Sequence, residues 1–362
     1  MTGFDLSTAQ GIYIGDQLAS AVYLGNNLIW TGTHDYSQDY LTFEAIQPTT
    51  FTFTQNALQY SIDNGTTWTT LAASTASPQL AAGDKILWKQ TGLTPSTTNP
   101  QGIGTFSATG NFKAYGNVMS LYYGDNFIGE DDLTGKTYAL YRLFYQNTYL
   151  VDASNIVLPA TTLANNCYLA MFRDCTSLTS TPELPATTLV QGCYQQMFRD
   201  CTSLTTAPEL PATTLAFFCY NSMFYGCTSL TTTPELPATT MGNQSYWAMF
   251  YGCTSLTTAP ELPATTLDMG CYNRMFYGCT SLTNAPELPA TTLAINCYNN
   301  MFNGCTSLNY IKCLATDISA TVCTTDWVNN VAATGTFIKA DSMSSWTTGT
   351  SGIPSGWTVQ NA

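Results

Sequence analysis

The chain has 362 residues, which is enough for two or more domains with a sizeable core. Its 10 basic and 23 acidic residues give a net charge of −13, so the sequence lacks the basic clusters that bind nucleic acid or anionic membrane surfaces. Charged residues make up only 9% of the chain, against about 25% in ordinary globular proteins, and Thr, Ser, Asn and Gln supply the polar surface instead.

The first twelve residues contain no basic segment followed by an apolar one, so no signal peptide is visible in the sequence. No stretch approaches the roughly 18 uninterrupted apolar residues that a membrane span requires. We therefore expect a protein that is made in a cytoplasm, does not insert into a membrane and is released without this type of export.

The N-terminal segment contains a short duplication. Residues 12–18 (IYIGDQL) are echoed by residues 22–30 (VYLGNNLIW), with apolar residues on both sides of a Gly-Asp or Gly-Asn turn signal. This pattern predicts two small β-hairpins, which a polar linker follows. The duplication resembles the short N-terminal modules of many phage tail and fibre proteins. The resemblance implies that residues 1–31 attach the chain to other virion proteins, and the module with its linker spans residues 1–37.

Residues 38–128 alternate β-rich runs with turn signals. The clearest runs are residues 51–54 (FTFT), 58–61 (LQYS), 85–88 (KILW) and 104–107 (GTFS). Short extended runs at this spacing predict an antiparallel β-sandwich.

Residues 61–68 (SIDNGTTW) match the Asp-box, Ser-x-Asp-x-Gly-x-Thr-Trp. Physically the motif is a hairpin turn that Asp63 caps and beneath which Trp68 packs, and this structural interpretation is the one we favour. Sialidases also contain Asp-boxes, but they carry one in each of several propeller blades, whereas this region has a single one. A glycosidase is therefore the last of our three functional hypotheses.

A period of 26 residues dominates the second half of the chain and predicts six repeats over residues 158–313. Residues 143–150 are a blurred copy of residues 171–178, which predicts an N-terminal capping rung at residues 129–157. Residues 314–362 predict a C-terminal cap, because the end repeats of a solenoid must be shielded. The motif Leu-Pro-Ala-Thr-Thr begins at Leu158, Leu184, Leu210, Leu236, Leu262 and Leu288.

The third repeat shows the secondary structure that we expect in each. Its Tyr220, Met223, Phe224 and Cys227 are spaced i, i+3, i+4 and i+7, which is typical of one face of an α-helix. The segment Ser-Leu-Thr-Thr that follows predicts a short strand, which must end before Pro234 because proline has no N–H to donate. The fold class predicted is α+β and multi-domain: a β-hairpin module, a β-sandwich and a strand-turn-helix solenoid with capping segments.

The segment Met-Phe-x-x-Cys-Thr-Ser-Leu and its proline-bounded strand resemble the BspA-type leucine-rich repeats. The match covers about residues 130–315. The resemblance implies a leucine-rich-repeat solenoid of the kind found in phage structural proteins and in surface proteins of gut bacteria, including adhesins.

The sequence offers little catalytic chemistry, and we expect neither an enzyme nor a cofactor. Its single histidine, His34, lies in the polar linker, where a solvated surface residue is expected. The cysteines fall in two columns of the repeats, eight residues apart, which is about 12 Å along a helix and too far for a disulfide within one repeat. We interpret them as small buried fillers. The columns are Cys175, Cys201, Cys227, Cys253, Cys279 and Cys305, and Cys167, Cys193, Cys219, Cys271 and Cys297.

One acidic column recurs at a fixed position of the repeats. Stacked carboxylates repel one another unless water or cations separate them. A solvated acidic edge is the first interpretation, and a ladder that binds calcium or magnesium is the alternative. The residues are Glu183, Glu209, Glu235, Glu261 and Glu287.

The repeats differ from one another at positions that we expect to face solvent. Aromatic and arginine side chains are concentrated there, which is the composition of a recognition surface, although unconstrained outward positions would also vary. The candidate ligand-binding residues are Arg173, Arg199, Phe217, Phe218, Tyr225, Trp247, Tyr251, Arg274 and Tyr277.

Together these features favour a phage virion protein of the tail-fibre or head-fibre type. Residues 1–31 would bind other virion proteins, and the solenoid would bind a protein or glycan of the host surface. The alternative is a bacterial surface adhesin or polysaccharide-binding protein, located at the cell surface rather than on a virion. Whether the chain forms a homo-oligomer stays open, since it contains no heptads for a coiled coil.

Overall fold

The computed structural model describes residues 34–90, 102–344 and 346–362, together with the backbone of four short strands between residues 13 and 31. Strand β1 (Tyr13–Ile14) pairs antiparallel with β2 (Gln17–Leu18), and β3 (Ala21–Leu24) pairs antiparallel with β4 (Asn27–Thr31). The backbone thus forms the two predicted N-terminal hairpins. The rest of the predicted attachment segment, residues 1–12, 15–16, 19–20 and 25–26, lies outside the described residues.

A six-stranded sheet follows, with the order β12-β11-β5-β9-β7-β8. Its neighbouring strands run antiparallel, except that β11 and β12 are parallel. Strands β6 and β10 form a separate antiparallel ribbon. The strands are β5 (Leu41–Ala45), β6 (Phe51–Phe53), β7 (Leu58–Ser61), β8 (Thr69–Leu71), β9 (Lys85–Gln90), β10 (Phe106–Ala108), β11 (Phe112–Asn117) and β12 (Leu150–Val157).

Helical structure is confined to short segments near this sheet. The α-helix α1 (Ser120–Tyr123) and the 3₁₀ turns Tyr36–Gln38 and Gly124–Asn126 are the helical segments of the described residues. Within that part of the chain, no helix has the length and apolar character to cross a bilayer.

An aromatic core fills the space between the sheet and the ribbon and continues into the repeats. Phe43 lies 5.1 Å from Phe51 and 4.8 Å from Phe106, measured between ring centroids. It also lies 5.7 Å from Phe144, whose ring stacks on Phe172 of the first repeat at 5.3 Å. The sheet and the repeats therefore share one buried core.

The six repeats stack in register, and we call residues 158–313 the repeat stack. Two buried ring columns mark the stacking, because equivalent rings of neighbouring repeats lie within 11° of parallel, except for Tyr272 and Tyr298 at 28°. In the tyrosine column the centroids are 5.6 to 6.1 Å apart, and in the phenylalanine column 5.5 to 5.8 Å. The columns are Tyr168, Tyr194, Tyr220, Tyr246, Tyr272 and Tyr298, and Phe172, Phe198, Phe224, Phe250, Phe276 and Phe302.

The predicted helix of each repeat is wrong, because the backbone forms a run of tight turns instead. In the third repeat the amide of Met223 donates to the carbonyl three residues back, that of Tyr220. The next amide, that of Phe224, donates to Met249 of the following repeat at 3.0 Å. Amides alternate between these two acceptors along the segment. Every fourth residue has a positive φ, as in Phe218 (58°) and Ser222 (54°), which no α-helix tolerates.

The spacing of the buried residues within a repeat did not identify the backbone conformation, because two conformations produce the same spacing. A spacing of i, i+3, i+4 and i+7 aligns one face of a helix with 3.6 residues per turn. It equally marks the inward positions of a coil that turns every four residues, where two residues face in and the next two face out. Tyr220, Met223, Phe224 and Cys227 are all buried here without a helix.

The predicted strand is also absent from the first five repeats, where the described residues show isolated bridges such as Thr258 with Asn284. Strands form from the end of the sixth repeat onward, in a parallel sheet with the order β13-β14-β15. Lys312 in this sheet takes the position that Pro286 has one rung earlier. Proline cannot donate to a ladder, so a strand forms where it is missing. The strands are β13 (Tyr310–Cys313), β14 (Thr336–Lys339) and β15 (Thr358–Asn361).

The predicted fold class is therefore wrong. The described residues form sheets and stacked turns rather than an α+β chain with a strand-turn-helix leucine-rich-repeat solenoid, and α1 lies outside the repeats. In addition, β12, from the segment predicted as a capping rung, pairs with β11 and so belongs to the six-stranded sheet.

The turn geometry predicts an unusual response to glycine. Arg274 is exposed and has a φ of 56°, a conformation that costs an L-residue about 1–2 kcal/mol. We expect Arg274→Gly to keep or raise the free energy of unfolding by up to about 1 kcal/mol, since relief of strain outweighs the added freedom of the unfolded chain. In a helix the same change would cost about 1 kcal/mol. Urea denaturation measures the difference.

Thr280→Gly provides the control, because Thr280 is also exposed but is not among the residues with positive φ. This variant should lose about 1 kcal/mol through backbone entropy alone. Equal losses in both glycine variants would contradict the left-handed turn at Arg274.

Candidate functional site

All nine candidate ligand-binding residues lie on the turn segments of the repeat stack and reach solvent. Phe217 is 38% exposed, Arg274 is exposed, and the other seven are half-buried. These residues thus face outward, although turns rather than helices present them. They do not form one cluster: three tyrosines and one arginine stack together, and the others lie around them.

The central feature is a column that we call the Tyr ladder: Arg199, Tyr225, Tyr251 and Tyr277. The rings of Tyr225 and Tyr251 are 4.3 Å apart with planes 5° from parallel. Those of Tyr251 and Tyr277 are 4.5 Å apart and 2° from parallel. These spacings are shorter than the 5.6 to 6.1 Å of the buried tyrosine column, so the outer rings cover one another's faces.

An arginine closes one end of the Tyr ladder. The guanidinium carbon of Arg199 lies 4.1 Å from the centroid of Tyr225, within the range of a cation–π contact. Nε of Arg199 donates to Oδ2 of Asp200 at 3.1 Å. Arg173, one repeat earlier, donates through Nη1 to Oε1 of Gln196 at 2.8 Å, and its Nε lies 3.6 Å from Asp174. Both guanidinium charges are therefore balanced by the aspartate that follows in the chain.

One flank of the Tyr ladder is bare backbone. A glycine follows each tyrosine: Gly226, Gly252 and Gly278, with φ between 70° and 73°. A Cβ at Gly226 would meet the carboxylate of Asp200, so the side chain of Asp200 lies over this glycine. At Gly252 and Gly278 the nearest heavy atom to such a Cβ is the Cα of the preceding glycine, 4.0 and 3.9 Å away. The strip is thus free of side chains beside Tyr251 and Tyr277, and the carboxylate of Asp200 lies at its upstream end.

The hydroxyl of Tyr251 stays protonated at neutral pH. Partial burial raises its pKa, and the neighbouring phenols of Tyr225 and Tyr277 and a hydrogen bond with Tyr225 add to this, while Arg274 acts in the opposite direction. This phenol can therefore both donate and accept hydrogen bonds.

The remaining candidates are not part of the stacked column. Phe217 and Phe218 contact each other, with centroids 3.9 Å apart. Arg274 is near enough to lower the pKa of Tyr251, and Trp247 is half-buried on the same turn face. Sequence reasoning missed Ile295, which is 51% exposed and follows Phe217 by three repeats.

Sequence reasoning also missed Tyr145, which extends the column upstream. The guanidinium of Arg142 lies 4.5 Å from its ring centroid and that of Arg173 lies 5.7 Å away. The alignment of residues 143–150 with residues 171–178 places Tyr145 opposite Arg173, so this signal was available in the sequence.

The acidic column lies at the proline-bounded turns, and all five glutamates are exposed. Shallow grooves separate consecutive turns, for example between Glu235 and Glu261, where prolines form the walls. Nζ of Lys312 lies 2.9 Å from Oε2 of Glu287 and neutralises the last member. In the described part of the chain, no three His, Cys, Asp or Glu side chains are grouped so that they could hold a metal ion.

The Asp-box forms the expected hairpin turn. Oδ1 of Asp63 accepts from the amide of Thr67 at 2.8 Å, and Oδ2 accepts from the hydroxyl of Thr67 at 2.6 Å. The hydroxyl of Ser61 donates to Oδ1 of Asp63 at 2.7 Å, and Nε1 of Trp68 donates to the carbonyl of Gly65 at 3.1 Å. These hydrogen bonds, above all those from Thr67, lower the pKa of Asp63 to about 2. The carboxylate of Asp63 thus makes these hydrogen bonds with residues of its own turn.

A cation packs against the Asp-box tryptophan. Nζ of Lys89 lies 4.1 Å from the centroid of Trp68 and 2.6 Å from Oδ1 of Asp125. The hydroxyl of Tyr40 donates to the same carboxylate oxygen at 2.6 Å, and burial, with this carboxylate, raises the pKa of Tyr40 to about 12. The contacts among Trp68, Lys89 and Asp125 thus connect the Asp-box hairpin to β9 and to the segment after α1.

His34 pairs with a carboxylate of its own segment. Its Nε2 lies 2.6 Å from Oδ2 of Asp39, and its side chain is 54% exposed. The residue is thus a surface histidine with a local acidic partner.

All thirteen cysteines are free and buried, as the filler interpretation predicts. In the column that includes Cys227, each thiol donates to the backbone carbonyl of a phenylalanine of the preceding rung; for Cys227 this is Phe198, at 3.1 Å. Burial raises the pKa of the Cys227 thiol, which disfavours the reactive thiolate. The other column is interrupted by Ser245, whose buried hydroxyl has no hydrogen-bond partner among the described residues.

No protein-family model matches the chain, and no curated protein or solved structure matches it either.

We predict that Ser245→Cys stabilises the protein. The change restores the residue that other repeats have at this position and removes a buried hydroxyl that lacks a partner, which costs about 1–3 kcal/mol. The free energy of unfolding in urea should therefore rise by about 1 kcal/mol. The reverse change one repeat earlier, Cys219→Ser, should lower it. A stabilising effect of Cys219→Ser would show that the column does not favour thiols.

We predict that Asp63 makes stability depend on acid pH. Its folded pKa of about 2 lies below the ordinary value of 3.8, so the carboxylate stabilises the fold fully above pH 4, and this contribution is lost as the pH falls through 2. The melting temperature of the protein should therefore drop more between pH 4 and 2 than that of Asp63→Asn. Asp341→Asn, at an exposed aspartate elsewhere, is the control. Parallel curves for the protein and Asp63→Asn would contradict the capping role.

Proposed function

We propose that the chain is a phage virion protein of the tail-fibre or head-fibre type, which binds the host surface through the Tyr ladder and its surroundings and has no catalytic role. The observation that carries this proposal is the Tyr ladder itself: stacked, solvent-reaching tyrosines with an arginine at one end, held on a buried core. Tyrosine, tryptophan and arginine are the side chains that dominate recognition surfaces.

The rigidity of the repeat stack supports a binding role. Each rung is held to the next by backbone hydrogen bonds such as Phe224 to Met249, and by two buried ring columns. Side chains on such a scaffold lose little conformational entropy when a partner binds, and this lowers the free-energy cost of association.

Attachment to a particle is supported by the N-terminal hairpins, β1-β2 and β3-β4. Their duplicated sequence resembles the N-terminal modules of phage tail and fibre proteins. We propose residues 1–31 as the attachment segment and other virion proteins as its partners.

The Asp-box gives no support to a glycosidase, because Asp63 already accepts hydrogen bonds from Ser61 and from both the amide and hydroxyl of Thr67. The bacterial adhesin would use the same outward surface, so its location is what distinguishes it from a virion protein.

Immunoelectron microscopy tests the proposal. Particles and cells from the source of the sequence are labelled with an antibody against residues 158–313, and the same serum absorbed with the pure protein is the control. We expect gold label on a tail or capsid appendage. Label on bacterial envelopes, with none on particles, would contradict the virion role and establish the adhesin.

A further inference from the structure

The geometry of the Tyr ladder limits how a partner can bind to it. Consecutive rings lie 4.3 and 4.5 Å apart and nearly parallel, so the faces between them are covered, and the guanidinium of Arg199 covers the upstream face of Tyr225. The outward parts of these side chains are ring edges and hydroxyl groups. A partner therefore meets a row of phenol hydroxyls, repeated at the spacing of the rungs, and binds by hydrogen bonds rather than by insertion between rings.

The side chains near the Tyr ladder add uncharged hydrogen-bonding groups. Gln195 and Gln196 precede it on the turn face, and Asn299 and Asn300 follow it, all of them half-buried. The two arginines at its upstream end are each balanced by the aspartate that follows in the chain. Amides, phenols and two neutralised guanidinium groups suit a partner that is rich in hydroxyls, and the exposed Arg274 beside Tyr251 adds one positive charge.

The shape of the surface favours an extended partner. The tyrosines form a column across three repeats, and Gly252 and Gly278 leave a strip without side chains beside Tyr251 and Tyr277. A linear chain that lies on this strip can contact all three hydroxyls. The exposed apolar side chains Phe217, Met269 and Ile295 come from another column, eight residues before the ladder position in each repeat, so the ladder itself offers no apolar pocket for a protein side chain.

We infer that the partner is an extended, hydroxyl-rich glycan of the host surface, lying along the direction of stacking from Arg199 to Tyr277. This inference rests on the proposed function and specifies its ligand. The phenol hydroxyls donate to and accept from the sugar hydroxyls, and the glycine strip lets the chain approach the backbone.

The test uses the full chain, labelled with a fluorophore, on bacterial cells from the source sample. One portion of the cells is oxidised with periodate, which cleaves vicinal diols of sugars, and another is treated with protease. We expect periodate to lower binding about tenfold or more and protease to leave it unchanged. If protease lowers binding and periodate does not, the glycan assignment is overturned. The receptor is then a protein, and the proposed function is unaffected. Absence of binding to every cell type tested would overturn the proposed function itself.

A triple variant locates the binding site. Tyr225→Phe, Tyr251→Phe and Tyr277→Phe together remove the three hydroxyls but keep the stacked rings, so the fold is preserved. We expect at least about tenfold weaker binding to untreated cells, since each lost hydrogen bond is worth about 1 kcal/mol. Tyr149→Phe, at a tyrosine that is 38% exposed outside the repeats, is the matched control and should bind normally. Normal binding by the triple variant would overturn the assignment to the Tyr ladder.

Discussion

The stacking of equivalent phenylalanine rings is the interaction on which the rest of the structure depends. It begins at Phe43 in the six-stranded sheet, passes through Phe144 to Phe172, and continues at one ring per repeat to Phe302 and Trp327. Loss of one such ring would cost about 3–5 kcal/mol, because close-packed neighbours cannot fill the gap. No repeat could bury this face alone, so each rung is stable only between its neighbours.

The same stacking determines the spacing at the surface. Because alternate amides donate to the next repeat, each outward side chain lies directly beside its equivalent in the following repeat. Identical residues at one position then become a column. Tyr225, Tyr251 and Tyr277 stack at 4.3 and 4.5 Å for this reason, and the candidate site is a consequence of repeat register rather than of any one loop.

Proline explains why sheets form at both ends of the repeat stack and isolated bridges between them. Pro286 and its equivalents occupy the position that Lys312 has in β13, where the Lys312 carbonyl accepts from the amide of Leu288. In β12 the corresponding position, one rung before Pro182, is Ser154. With the proline present, the backbone contacts of neighbouring repeats are made mainly by the turn segments, which therefore carry the candidate binding surface.

The sequence by itself determined the register of the repeats, the inward and outward positions, the N-terminal hairpins and the capped turn at Asp63. Local residue types are sufficient for these, because burial and turn chemistry act within a few residues. The tertiary structure alone decided the backbone of the repeats. The spacing of Tyr220, Met223, Phe224 and Cys227 fits both a helix and a four-residue turn, and the choice between them depends on amides that donate to the following repeat. Such a hydrogen bond forms only when the following repeat is in place, so it cannot be recognised from the residues of one repeat.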